Sequence, residues 1–267
     1  MDEGRYTFRE HLVELRARLL RAVVMVLLCA LASYAFADTL YTWLSTPMRE
    51  AIPEGAQLIV TSVIEAFLVK LKLSLTAGIF LASPWVLYQL WAFIAPGLYK
   101  QEQTYAGAFV VSGSFFFVAG AAFCFYVVFP VGLPFLIAMN PPDVIGMYKV
   151  GEYYSFVIRM LLAAGFGFEL PVAVVMLTLL GVVDPKQLLR FRKYALLLSF
   201  VASAVLTPPD PASQVLIAVP LYLLFEGGLL VARVIGDRRA PREADAEAPA
   251  DSGGSDATDQ DPVSPVG

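Results

Sequence analysis

The chain has 267 residues, 58% of them apolar and 16% charged, with a mean hydropathy of +0.68. A water-soluble domain of this size carries about 25% charge, so the composition excludes one and points to a membrane protein. The formal charge of −4 sits in a tail: residues 237–267 hold 8 acids and 3 bases, whereas residues 1–236 are balanced at 15 acids and 16 bases.

Residue types exclude whole chemistries. His11 is the only histidine, and Cys29 and Cys124 both lie in apolar runs. A zinc or iron site needs several converging N, S or O ligands, and a serine or cysteine nucleophile needs a base. No Gly-Lys pair exists to build a phosphate-binding loop. No aspartate falls within a predicted span, which argues against an intramembrane aspartyl protease. No enzyme activity, cofactor, metal or nucleic-acid partner is expected.

Residues 1–18 read as a cytoplasmic amphipathic helix. Thr7 and Glu10 form a capping-box start, and Phe8, Leu12, Leu15 and Leu19 recur on one face, opposite Arg9, Glu10, Glu14 and Arg18. Such a helix is expected to lie along the interface before the chain turns into the first span. About 20 apolar residues cross a hydrocarbon core of ~30 Å, which places spans at 19–37, 65–95, 105–136, 153–180, 195–206 and 215–232. The second and third would be about 45 Å long, so they must tilt or bend, with Pro84, Pro130 and Pro134 as bend points. The fifth, about 18 Å long, joins the sixth through Thr207-Pro208-Pro209-Asp210-Pro211, and this hairpin is expected to leave a lowered wall. The transmembrane domain therefore runs from 19 to 236. The tail 237–267 has no aromatic residue and is expected to be a disordered acidic segment.

Thirteen Lys and Arg residues lie in the N-terminal stretch, the connections 96–104 and 181–194, and the C-terminal side; the alternate connections hold only Arg49 and Lys149. This asymmetry places both termini in the cytoplasm and makes 38–64 and 137–152 outer loops.

Several charges stand out. Glu14 has an (i, i+4) partner in Arg18, and Glu102 sits in the short connection 96–104. Lys70 and Lys72, near the outer end of the second span, read as snorkelling side chains. Glu169 lies within about 4 Å of the centre of its span, where a charge costs about 2.5–3.5 kcal/mol, so it should face protein or a water-filled cavity. Arg159 and Glu226 are expected to pair with each other or with polar groups inside the bundle. An ion-coupled transporter using Glu169, Arg159 and Glu226 as a midplane relay is the competing reading, although the span lengths show no inverted repeat.

The segments His11-Leu12-Val13-Glu14-Leu15-Arg16, Pro47, Trp91-Ala92-Phe93-Ile94-Ala95-Pro96-Gly97-Leu98-Tyr99 with Glu102, and Phe129-Pro130 occur in that order. Phe168-Glu169-Leu170-Pro171, Leu206-Thr207-Pro208-Pro209-Asp210, Gln214, Pro220 and Phe225-Glu226 follow. Together, over about residues 6–235, they resemble the TatC family of the twin-arginine protein translocase. The resemblance implies an all-α polytopic membrane protein of the bacterial cytoplasmic (inner) membrane, with six transmembrane helices in a concave, glove-like bundle and both termini inside. It implies a receptor that binds twin-arginine signal peptides and exports folded proteins using the proton motive force, without covalent catalysis. Glu14, Glu102 and Arg16 would then serve the signal peptide. Glu169, Pro208, Asp210, Gln214 and Glu226 would line the membrane cavity and dock TatA- and TatB-type single-span subunits, with other TatC copies and membrane lipid as further partners. Met48 after Pro47 and the glutamines flanking Glu102 depart from the family pattern.

Overall fold

The computed structural model describes residues 8–94, 106–141, 146–179, 189–206 and 211–247. Helix α1 (Phe8–Tyr34) contains neither proline nor glycine, and nothing breaks it at the expected boundary between 18 and 19. The amphipathic stretch and the first span are one helix, which corrects the expected turn. Leu12, Leu15 and Leu19 are exposed while Glu14 and Arg18 are half-buried, so the apolar stripe faces outward and the charged pair faces the bundle. The chain then bends by 84° into α2 (Ala37–Ala51).

Helix α2 occupies much of the expected outer loop 38–64, a second correction. Ala37, Tyr41, Leu44 and Met48, spaced 4-3-4, bury one side of it, and Pro47 sits buried inside the helix. Strand β1 (Gln57–Ile59) pairs in parallel with β2 (Met147–Lys149), Leu58 opposite Tyr148. The two expected loops are thus joined into one cap.

Helix α3 (Glu65–Ile94) runs antiparallel to α1: His11 stacks on Phe93 at one end, and Gly78 meets Ala30 further along. A Cβ on Gly78 would lie 2.6 Å from the Ala30 backbone nitrogen, so only glycine permits this approach. Helix α4 (Ala106–Phe123) passes through a π-helical turn, Cys124–Val128, into α5 (Phe129–Ala138). Pro130 cannot donate to the preceding turn, and the wider turn just before it absorbs the mismatch at one of the expected bend points. Helices α6 (Val150–Leu179), α7 (Arg192–Leu206) and α8 (Pro211–Glu247) complete the chain order.

The largest buried cluster lies beneath the cap, where Leu44, Leu73, Phe129, Tyr154 and Val157 pack together. Among the described residues, Glu65–Ile94, Ala106–Ala138, Val150–Thr178 and Gln214–Arg233 are each long and apolar enough to cross a membrane, and α1 with α2 satisfies the same test as one bent pair. Helix α7, at 15 residues, is about 22 Å long and shorter than a span. Helix α8 continues to Glu247, past the expected start of disorder at 237. Ala240, Ala244 and Ala246 favour helix, and extending a packed helix carries no nucleation cost. Residues 248–267 lie outside the described residues.

Candidate functional site

At the end of the bundle opposite the cap, α1 presents Glu14. Arg18 donates from Nε and Nη2 to the same carboxylate oxygen, Oε1, at 2.9 and 2.6 Å. The expected (i, i+4) pair is therefore present, and it leaves Oε2 without a partner among the described residues. Arg16, two residues on, is exposed. The His11–Phe93 stack, with ring centroids 4.3 Å apart, fixes this part of α1 against the last turn of α3. Trp91 is buried against Phe109, and these two rings tie together the helix ends flanking 95–105. Glu102 falls in that segment, outside the described residues, as do Pro208 and Asp210. Gln89, two residues before Trp91, is buried with no donor to its Oε1 among the described residues, a polar group that the sequence reading passed over.

Glu169 is half-buried on α6 and faces α4. A Cβ on Gly113 would lie 3.2 and 3.4 Å from its two carboxylate oxygens, so the absence of a side chain there makes room for the carboxyl. The carboxyl has no hydrogen-bond or ionic partner among the described residues, as expected of a polar group awaiting water or a partner. Beside it, a groove of about 720 Å³ runs between α4, α6 and α8, lined by Phe116, Phe168, Pro171, Val172, Leu224 and Gly227 among others. Two close approaches shape this wall: a Cβ on Gly120 would lie 2.5 Å from the Ala164 carbonyl oxygen, and one on Gly228 would lie 2.6 Å from the Pro171 Cα. At Gly227 the same test meets nothing within 4 Å.

The α7–α8 hairpin is held by its own polar bonds. Gln214 donates from Nε2 to the Phe200 carbonyl at 3.1 Å, and the Ser203 hydroxyl donates to the Gln214 carbonyl at 2.6 Å. Glu226 accepts from Arg192 Nη2 at 2.5 Å and from the Tyr222 hydroxyl at 2.9 Å. Arg159 donates to the backbone of its own helix, Nε to the Ser155 carbonyl at 3.1 Å. The expected alternative of an Arg159–Glu226 pair is thereby corrected, because each group finds a nearer partner. Glu169, Arg159 and Glu226 make no contact with one another that could form a relay.

The cap carries residues that the sequence reading missed. Glu65 accepts four donors: the Thr61 N–H and hydroxyl, the Ser62 N–H and, from the other strand's connection, the Gly151 N–H at 2.6 Å. Ser62-x-x-Glu65 is the same capping signature recognised at Thr7 and Glu10. Tyr153 and Tyr154 donate their hydroxyls to the carbonyls of Leu44 and Tyr41 at 2.6 and 2.5 Å, locking α6 to α2. Lys70 pairs with Asp38 at 2.5 Å.

Comparison with known proteins agrees with this architecture. The family model described as "Sec-independent protein translocase protein (TatC)" matches residues 10–220. A protein of that name from Halothiobacillus neapolitanus is 43% identical over 259 residues, covering 97% of this chain and 71% of the relative. One from Escherichia coli K12 is 40% identical over 233 residues, covering 87% and 90%. A crystal structure titled as the twin arginine translocase receptor TatC superposes with a TM-score of 0.75 at 35% identity, over 84% of this chain and 99% of that one.

Proposed function

The chain belongs to the TatC family, multi-pass membrane components of a protein translocase rather than catalytic enzymes, and on that premise we propose that it is the receptor for twin-arginine signal peptides in the bacterial cytoplasmic membrane. The observation that carries this reading is the Glu14 carboxylate, oriented by Arg18 through one oxygen while the other has no partner among the described residues, beside the helix ends that bracket Glu102. Carboxylate and guanidinium fit as parallel charge-assisted bonds, which lysine's point charge cannot reproduce. Glu14 and Glu102 each take one guanidinium of the arginine pair, and Arg16 borders the same surface. Two such contacts, at about 1.5–3 kcal/mol each, reach roughly tens of micromolar at best. The apolar part of the signal therefore binds as well, along α3 or within the membrane cavity.

Partner docking uses the other wall. Glu169 accepts or donates a hydrogen bond to a polar residue on a TatA- or TatB-type single-span helix, relieving that residue of unsatisfied burial in lipid by about 0.6–2 kcal/mol. The groove between α4, α6 and α8 supplies apolar surface for such a helix, and the short α7 with Pro208, Asp210, Gln214 and Glu226 forms the low side of its approach. Six helices cross the membrane with both termini cytoplasmic, other TatC copies assemble beside this one, and the proton motive force drives export of the folded cargo. Cysteine labelling from outside that reached position 100 or 190 but not 49 would overturn the orientation. Photo-crosslinking of a twin-arginine peptide to the purified protein, with a twin-lysine peptide as control, tests the receptor reading: arginine-selective labelling supports it and equal labelling refutes it.

A further inference from the structure

Lys72 on α3 and Arg159 on α6 converge on one residue: Lys72 Nζ donates to the Ser155 hydroxyl at 3.2 Å, and Arg159 Nε donates to the Ser155 carbonyl at 3.1 Å. Both side chains are exposed, and both belong to helices that are long and apolar enough to span the membrane. Neither has a carboxylate partner among the described residues. Asp38 is committed to Lys70, Glu152 to Lys149 and Glu65 to four donors. Two unpaired cations so placed in lipid are costly unless an anion meets them.

Depth identifies the anion. Helices α3 and α6 are each 30 residues, about 45 Å, against a hydrocarbon core of about 30 Å. With the surplus shared between the two ends, the Cα atoms of Lys72 and Arg159 lie about 4 and 7 Å inside the hydrocarbon boundary at the cap end, within the reach of their side chains. Headgroup phosphates lie at that level. With Nε occupied, the outer fork of the guanidinium remains open for bidentate contact with a phosphodiester, and the ammonium keeps two further donors.

We propose that Lys72 and Arg159, positioned by Ser155, bind the phosphodiester of an anionic phospholipid at the cap end of the α3–α6 face. The site lies at the cap end of α3, away from Glu14 and the helix ends that flank 95–105.

The test is lipid retention by native mass spectrometry on purified protein in detergent supplemented with phosphatidylglycerol or phosphatidylcholine. Wild type is expected to retain phosphatidylglycerol preferentially, and Lys72→Gln/Arg159→Gln to lose that preference by about tenfold. Arg49→Gln, which removes an exposed cation elsewhere on the cap, should leave it unchanged, and Lys72→Arg, which keeps a cation beside the Arg159 fork, should preserve it. An unaltered melting midpoint and elution as monodisperse protein in the double Gln variant would show that the fold persists. Equal retention in wild type and double variant overturns the proposal. Displacement of the lipid by millimolar inorganic phosphate, or by a soluble acidic peptide, overturns the lipid assignment.

Discussion

The cap and the α4–α6–α8 wall are built by opposite means. The cap is cross-tied by directional polar bonds: the strand pair, the four donors on Glu65, and the two tyrosine hydroxyls that reach from α6 to α2. The wall is packed backbone against backbone through Gly120 and Gly228, borders an open groove, and leaves Glu169 without a partner among the described residues. Directional bonds permit one arrangement, whereas small-residue packing beside an open groove admits another helix. The rigid end frames the bundle, and the surfaces assigned to partners lie away from it.

Breaking the wall should have the largest effect. Gly120→Val would drive a side chain into the Ala164 carbonyl, which is backbone and cannot move aside. We expect a loss of about 3 kcal/mol or more, read as failure to recover monodisperse protein; a normal yield and melting midpoint would contradict the close packing. Glu65→Ala comes next: it frees four donors in the cap and should lower the melting midpoint by more than about 4 °C, while partner crosslinking to α6 and α8 stays normal. Loss of crosslinking with an unchanged midpoint would reverse the roles given to the two regions.

A smaller effect separates docking from proton transfer at Glu169. Glu169→Gln keeps donor and acceptor but cannot titrate, so it should retain most partner crosslinking and export, whereas Glu169→Ala should weaken crosslinking several-fold, in line with one interhelical bond of about 0.6–2 kcal/mol. Export abolished equally in both, with crosslinking intact, would favour a relay. The smallest effect belongs to the C-terminus. A chain stopped after Glu247 should insert and export as the full chain does, because the segment removed is too polar to build a core; loss of export from a stably inserted truncation would show otherwise.

What was legible in the sequence follows from where the physics is local. Apolar run length located the helices of the long spans, and the spacing of Glu14 and Arg18 gave their pair directly. The midpoint position of Glu169 in its span marked it as the unusual carboxylate, and among the described residues it has no hydrogen-bond or ionic partner. The cap was illegible because its parts are polar, short and tied across large sequence separations, Tyr153 to Leu44 and Gly151 to Glu65. Two local signals went unread even so: the 4-3-4 burial of α2 and the capping signature at Ser62 and Glu65. The break expected after residue 18 rested on a change in polarity, but polarity alone does not end a helix that lacks glycine and proline.

The receptor role rests on two carboxylates, Glu14 and Glu102, and a comparison of peptide affinities tests both. Affinities of a twin-arginine and a twin-lysine signal peptide are measured for wild type, Glu14→Gln and Glu102→Gln in the same detergent. Wild type is expected to prefer arginine by about tenfold or more, and each variant to lose that preference with insertion and melting midpoint unchanged. Discrimination that persisted undiminished in both variants would contradict the receptor role.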